Sequence, residues 1–438
     1  MAFPAKLRLW GIGGVGMSAL AQHFHRLGHQ VTGYDREASP LTDRLLAQGI
    51  PIDFSPAPQR AEEAQGIVYT PAIPADFPEW EPVRRLRLPT WRRGQALAQV
   101  VADHTVLAVA GAHGKTTTTA LLAWLLHALG AEPLAFIGGL ARNFDSTYVG
   151  GNGPWAVVEA DEYDRAMLLL SPAHAIIQSV DPDHLEVYGS PEGVLQAYHQ
   201  FARQVQGLCV APESVPDLGR PLVRYTLEAY QARGRQVELV YRSEGRRRTV
   251  TWTQIGRHLA ENAAAALTLL EALGWDFPRL QQALTSFAGV ERRMELYELS
   301  EEYFVVSDYA HHPTEIRRTL EALRESFPTH RLVVAFQPHL YSRTAFFAKE
   351  FAQALSLADS VLLFPIYAAR ESSTPSVTSK LISQYVDKPV QELLSLNLDM
   401  AALSTYLSPK PVGLVFLGAG DIYRLVPEAL AYLRDRLL

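Results

Sequence analysis

Short apolar runs ending in glycine or acidic residues alternate with amphipathic stretches along most of the chain. LRLW (7–10) leads through glycines into a helical pattern from about Met17 to Leu27, and QVTGYD (30–35) predicts a second strand. GIVYTPAI (66–73) reads as a buried strand closed by Pro71 and Pro74. PADFPEWEPVRRLRLPTW (74–91) reads as connecting structure, followed by a helical pattern from Arg93 to Ala102. VLAVAGAHGKTTTTALLAWLLHAL (106–129) predicts a strand to Ala110, a glycine-bracketed loop and a helix. Further strands are predicted in AFIGGL (135–140), at AVV in PWAVVEADEYD (154–164) and at IIQSV in HAIIQSVDPDHLEVYG (174–189). Alternation in RQVELVYR and RRTVTWTQI predicts a hairpin across SEGR, and GRHLAENAAAALTLLEALG (256–274) predicts a helix. Beyond AGVERRMELYEL (288–299) come strand YFVVSDY, helix Pro313 to Ser326, strand RLVVAFQ, helix Thr344 to Ser356, strand SVLLF and strand GLVFLG. Such alternation predicts an α/β fold. Boundaries near Asp103 and Arg292 divide it into residues 1–102, 103–291 and 292–438.

Composition narrows the function classes. A chain of 438 residues is long for one core. A formal charge of −6 favours neither nucleic acid nor an anionic membrane as a partner. One cysteine, Cys209, excludes an internal disulfide framework and a cysteine-clustered zinc site. The N-terminal apolar stretch is broken by glycines, unlike a secretory signal, and no uncharged apolar run is long enough for a membrane span. A cytoplasmic protein is expected.

The chemistry concentrates at GAHGKT, two residues shorter than the common phosphate-loop spacing. Gly111 and Gly114 bracket a backbone turned toward phosphate oxygens, at the positive end of the next helix. Lys115 would reach the β- and γ-phosphates of ATP, and the Thr116 hydroxyl would sit on Mg²⁺. The chain has six lysines, and none lies between Lys115 and Lys349. Earlier, Gly11-x-Gly13-x-x-Gly16 between two strands, with Asp35 after them, is a dinucleotide fingerprint. Alone it suggests a nicotinamide dehydrogenase; beside a phosphate loop, another pyrophosphate compound such as a UDP-sugar fits better. Glu159, Asp161 and Glu162 close one predicted strand, and Asp181, Asp183 and His184 another. That pattern suggests Mg²⁺ coordination, with a solvated acidic loop as the plain alternative. His258 and Asn262 open a helix and either face a base or cap it. Polar clusters also end the late strands: Asp308-Tyr-Ala-His311-His312, Gln337-Pro-His339, Arg343, Arg370-Glu371 and Gly418-Ala-Gly420-Asp421.

Together GIGGVGMSALA, YTPAI, GAHGKTTTT, EADEYD, DPDHLEVYG, GVERRME, DYAHHPTEI, FQPHLYSRT, AARE and GAGDI resemble, in order, the motifs of the Mur ligase family, over essentially the whole chain. The resemblance implies an N-terminal Rossmann-like UDP-binding domain, a central P-loop ATPase domain with a mixed sheet and a C-terminal Rossmann-like amino-acid-binding domain. It implies ATP-driven amide formation with Mg²⁺, and within the family it points to the branch joining L-alanine to UDP-N-acetylmuramate. The neighbouring alternative is the recycling ligase that attaches a ready-made peptide to the same sugar. Carried over residue by residue, Lys115, Glu159, His184, His312 and Arg343 are catalytic, and Thr116, Glu159 and His184 hold metal. Gly111, His113, Gly114, Lys115, Thr116, Thr117, Asn262, Arg293 and Asp308 bind nucleotide. Gly13, Gly14, Gly16, Ser18, Asp35 and Thr70 face the UDP-sugar. The expected assembly is a monomer or weak homodimer.

Three departures accompany the resemblance. No lysine follows the Asp183-His184 pair, where many relatives carry a carbamylated one; the alanine-adding branch lacks it too. Leu259 stands where the family's first asparagine of His-Asn-x-x-Asn is frequent, and Leu340 where many relatives have arginine.

Overall fold

The computed structural model describes residues 2–181, 185–369, 371–372, 376–397 and 403–436. Its elements form three sheets. The first joins β1 (Lys6–Trp10), β2 (Gln30–Tyr34), β3 (Ile52–Asp53), β4 (Gly66–Tyr69) and β5 (Thr90–Arg92). The order is β3-β2-β1-β4-β5, all parallel, with helix Val15–Arg26 following the glycine turn. Trp10 pairs with both Tyr34 and Tyr69, so the turns carrying Gly11, Asp35 and Thr70 emerge at one edge.

The second sheet contains β6 (Thr105–Ala110), β7 (Leu134–Ala141), β8 (Ser146–Gly150), β9 (Trp155–Glu159), β10 (His174–Ile177), β11 (Cys209–Pro212), β12 (Val223–Arg233), β13 (Gln236–Ser243) and β14 (Arg246–Trp252). The order is β14-β13-β12-β11-β10-β6-β9-β7-β8, mixed because β7 and β8 run antiparallel. Register places Val109 beside Glu159 and Ala110 beside Ile177, lining up the ends of β6, β9 and β10. The third sheet runs β15-β16-β20-β17-β18-β19. These are β15 (Glu295–Glu298), β16 (Tyr303–Asp308), β17 (Arg331–Phe336), β18 (Ser360–Leu363), β19 (Val390–Glu392) and β20 (Val412–Leu417). Only β15 is antiparallel to its neighbour, and Leu417 lies between Asp308 and Phe336. The central strands β6, β16 and β20 are nearly continuous buried apolar runs, as a sheet covered on both faces requires.

Backbone contacts divide the chain into one unit of residues 1–228, 241–248 and 262–288 and a second of 229–240, 249–261 and 289–438. Among the described residues, no helix is long and apolar enough to cross a membrane.

Three local expectations need correction. The stretch read as connecting structure contains helix Trp80–Leu86 and β5, which completes the first sheet. Its anchor is tertiary: buried Glu79 accepts hydrogen bonds from the Arg8 guanidinium, the Trp10 indole and the Ala57 backbone. The helix expected from Thr344 to Ser356 is two, Tyr341–Phe346 and Ala348–Leu355, broken at Phe347 where φ is −107° and ψ 19°. Its ring packs on His312 with centroids 4.9 Å apart. Strand β10 stops at Ile177 instead of running to Val180, because its partner β6 ends at Ala110, where the chain turns into the phosphate loop at Gly111 with φ 133°.

Candidate active site

The phosphate-loop residues meet as the pattern predicts. Lys115 opens helix Lys115–Ala128, capped by Gly114 in the left-handed region at φ 82°. No side chain caps this terminus, and the first N–H groups of a helix have no intrahelical acceptor, which suits an anion. Lys115 Nζ donates to the Gly111 carbonyl at 2.7 Å and to Glu162 Oε1 at 2.8 Å. Burial alone would lower the Lys115 pKa, but Glu162, then Asp161 and Glu159, outweigh it and leave it raised. The His113 N–H donates to Ser179 Oγ at 3.3 Å, and Thr116 and Thr117 are buried. Asn262 is buried against Gly114: a Cβ there would lie 2.5 Å from Asn262 Oδ1.

Glu159 ends β9 with its carboxylate against two donors, the Gly138 N–H at 2.7 Å and the Thr116 hydroxyl. Its approach needs glycine at 138, where a Cβ would be 2.3 Å from Oε1. Burial pushes the Glu159 carboxyl upward, offset in part by Lys115 and by these hydrogen bonds. A carboxylate and a hydroxyl in contact form a hard oxygen pair, fitting Mg²⁺ better than a softer metal. His184 lies outside the described residues, and among these no group of three His, Cys, Asp or Glu side chains is placed to hold a metal.

The first glycine turn is shaped by Asp35, whose Oδ2 accepts the Gly13 N–H at 2.7 Å and whose Oδ1 accepts that of Arg36 at 2.8 Å. Ser18 is buried, its hydroxyl donating to the Val15 carbonyl at 2.8 Å. Beside this turn opens a cavity of about 310 Å³. Gly14, Gly16 and Thr70 line one side, Gly138, Glu159 and Asp161 another, with Arg93 among them. The cavity therefore joins the predicted sugar turn to the acidic end of β9, whose Glu159 touches the phosphate-loop threonine. The sequence marks Arg93 only as a helix start, and among Arg84, Arg85, Arg87 and Arg92 just before it nothing local sets it apart.

In the second unit, Asp308 ends β16, accepting from the Thr319 hydroxyl at 2.7 Å and the Ala310 N–H at 3.1 Å. Burial raises its pKa, opposed by Thr319 and by the charge of Arg293. The Arg293 guanidinium lies 4.8 Å from the Tyr309 ring centroid. His312 caps helix Pro313–Ser326, its Nδ1 accepting the Thr314 N–H at 3.3 Å while its own N–H donates to Glu315. Arg343, half-buried on helix Tyr341–Phe346, acts electrostatically on His311, whose pKa burial lowers first and Arg343 lowers further. Leu340, before that helix, holds φ at 70°, a conformation strained for leucine. The structure thus places Arg293, Asp308, His312 and Arg343 in the second unit, and the remaining nucleotide candidates and all the sugar candidates in the first, with His184 outside the described residues.

Family models match along the chain in three pieces: "Mur ligase family, catalytic domain" at residues 6–105, "Mur ligase middle domain" at 109–270 and "Mur ligase, glutamate ligase domain" at 292–415. A UDP-N-acetylmuramate–L-alanine ligase of Porphyromonas gingivalis is 37% identical over 97% of this chain and 98% of its own. The crystal structure of a UDP-N-acetylmuramate-alanine ligase from Thermotoga maritima superposes with a TM-score of 0.86 at 30% identity, covering 98% of this chain and 99% of the other. A murein peptide ligase of Psychrobacter arcticus shares the fold, with a TM-score of 0.70 at 23% identity over 98% of each chain.

Proposed function

The chain belongs to the Mur ligase family, and from that premise we propose that it joins L-alanine to the carboxylate of UDP-N-acetylmuramate at the expense of ATP. The products are UDP-N-acetylmuramoyl-L-alanine, ADP and phosphate, the first precursor amide on the way to peptidoglycan. The observation that carries this reading is the cavity placing the first glycine turn beside Glu159, which also contacts the phosphate-loop Thr116. A sugar carboxylate held there has a route to the terminal phosphoryl group of a bound nucleotide.

A carboxylate resists attack by an amine because oxide would have to leave. Transfer of the ATP γ-phosphoryl makes an acyl phosphate; the alanine nitrogen adds to its carbonyl, and phosphate departs from the tetrahedral adduct. Phosphoryl transfer needs alignment and charge neutralisation more than covalent help. Lys115 meets the nucleotide phosphates, assisted by the backbone of Gly111, His113 and Gly114 and by Thr117. Thr116, Glu159 and His184 would hold Mg²⁺, which supplies positive charge to the phosphate oxygens. Asn262 contacts the base, and Arg293 and Asp308 are the nucleotide-binding candidates of the second unit. His312 and Arg343 receive alanine, the guanidinium matching its carboxylate. Gly13, Gly14, Gly16, Ser18, Asp35 and Thr70 hold the UDP-sugar. Functional domains of residues 1–102, 103–291 and 292–438 follow this division, in a cytoplasmic monomer or weak homodimer.

An ADP-release assay with UDP-N-acetylmuramate tests the reading, comparing L-alanine, glycine, L-serine and the murein tripeptide. ADP release that requires both the sugar and L-alanine supports it. Turnover with the tripeptide alone would move the chain to the recycling branch.

A further inference from the structure

Arg93 stands at the start of helix Arg93–Val100, and its Nη2 donates to Asp161 Oδ2 at 2.8 Å. It is the one cation among the described residues lining the 310 Å³ cavity, opposite two carboxylates, Glu159 and Asp161. Its guanidinium lies against the sugar turn: a Cβ on Gly16 would sit 3.1 Å from both Arg93 Cδ and Nη1. The position is fixed from behind, since a Cβ on Gly94 would lie 3.1 Å from Ala166 and from Leu169. Asp161 is also held, its Oδ1 accepting the Tyr163 N–H at 3.1 Å.

UDP-N-acetylmuramate brings a diphosphate and a carboxylate. Neither anion enters a space walled by Glu159 and Asp161 without a positive partner, because like charges at close range repel strongly where water is scarce. Arg93 is that partner, with a planar fork that fits either group. We propose that Arg93 is a substrate-binding residue that exchanges Asp161 for an anionic oxygen of the UDP-sugar. The inference rests on the ligase reading above and adds to it a residue and a competing internal anion.

Calorimetric titration of the full-length protein tests the exchange, using UDP-N-acetylmuramate, UDP-N-acetylglucosamine and ADP against wild type, Arg93→Gln, Arg93→Lys and Asp161→Asn. Arg93→Gln should weaken UDP-N-acetylmuramate roughly tenfold to a hundredfold, with ADP affinity changed less than about twofold. Arg93→Lys should recover part of the loss, and Asp161→Asn should tighten sugar binding by freeing the guanidinium. Equal losses with UDP-N-acetylglucosamine, which lacks the carboxylate, assign the contact to the diphosphate; loss with the muramate sugar alone assigns it to the carboxylate. Unchanged sugar affinity in Arg93→Gln overturns the proposal. So does Asp161→Asn weakening the sugar as much as Arg93→Gln, since the pair would then be a structural clamp. A wild-type protein that binds ADP but not UDP-N-acetylmuramate overturns the ligase reading itself.

Discussion

Lys115 and Glu162 should behave as a coupled pair whose second member stands in for nucleotide phosphate. Their charged atoms are 2.8 Å apart, with side chains only 15% and 4% exposed. Removing one member of a buried pair strands the other, at a cost of about 3–5 kcal/mol, whereas replacing both by neutral groups of similar size is often close to neutral. Lys115→Met and Glu162→Gln should therefore each destabilise the ligand-free protein by about that amount. The double variant should be much less affected than their sum, a coupling of roughly 3 kcal/mol in the cycle. Calorimetric melting in the absence of ligand measures it. The lysine's raised pKa fixes the pH range: the stabilisation is complete below the unfolded value of about 10.4 and disappears as pH climbs through the folded one. ATP adds a second readout. In Glu162→Gln the phosphates regain the lysine without displacing a carboxylate, so nucleotide should raise the melting temperature more than in wild type. A tenfold gain in affinity corresponds to about 1.4 kcal/mol of added stabilisation at saturating nucleotide. Stability losses additive to within about 0.5 kcal/mol, or a smaller ATP effect in Glu162→Gln, would refute the reasoning.

Two other perturbations have definite signs. Gly114→Ala keeps a left-handed cap at a cost of about 1–2 kcal/mol and drives Asn262 aside, so ADP affinity should drop several-fold with a modest loss of melting temperature; unchanged ADP binding would separate Asn262 from the nucleotide site. His23 is pushed down from 6.5 to about 4, first by burial and then by Arg26, His104 and His29. A depressed histidine pKa means the stability is complete above about pH 6.5 and is lost as pH falls toward 4, by roughly 3 kcal/mol at 1.36 kcal/mol per unit. His23→Gln should remove that part of the acid limb in urea titrations at pH 7.5 and 4.5, and an unaltered difference between the two would count against it.

What the pattern along the chain disclosed, and what it concealed, divides by the range of the interactions. Strand–turn–helix units were legible because their signals are local: an apolar run, glycines where φ turns positive, then helical spacing. The helix Pro313–Ser326 was readable to the residue, since Pro313 and the His312–Glu315 cap are written next to one another. Helix Trp80–Leu86 and β5 were hidden because what orders them is Arg8 and Trp10, some seventy residues away, reaching Glu79. The same holds at the site. Lys115 announces itself within GAHGKT, but its partner Glu162 is 47 residues on, and Arg93 meets Asp161 across 68. Motif spacing names the residues that touch ligand by backbone geometry; it is silent on which carboxylate holds each cation while the ligand is away.

That silence matters because the two cations are held by one short acidic turn. Asp161 takes Arg93 and Glu162 takes Lys115, each at 2.8 Å, from positions adjacent in the chain. The reaction must bring a sugar anion and a nucleotide phosphate together, two groups that repel. A protein that kept bare cations for them would bury unpaired charge between turnovers, which is costly. Borrowing carboxylates from a single turn removes that cost and has a mechanical result. When phosphate claims Lys115, Glu162 loses that ion pair; any backbone adjustment that follows passes at once to Asp161, loosening its hold on Arg93. Sugar and nucleotide should then favour one another's binding in spite of their like charge, and by reciprocity the two enhancements must be equal. The coupling requires both carboxylates, so Glu162→Gln and Asp161→Asn should each abolish it while leaving both ligands able to bind. Calorimetric titration of sugar with and without a non-hydrolysable ATP analogue measures it, and equal enhancement in wild type and either variant would place the coupling elsewhere.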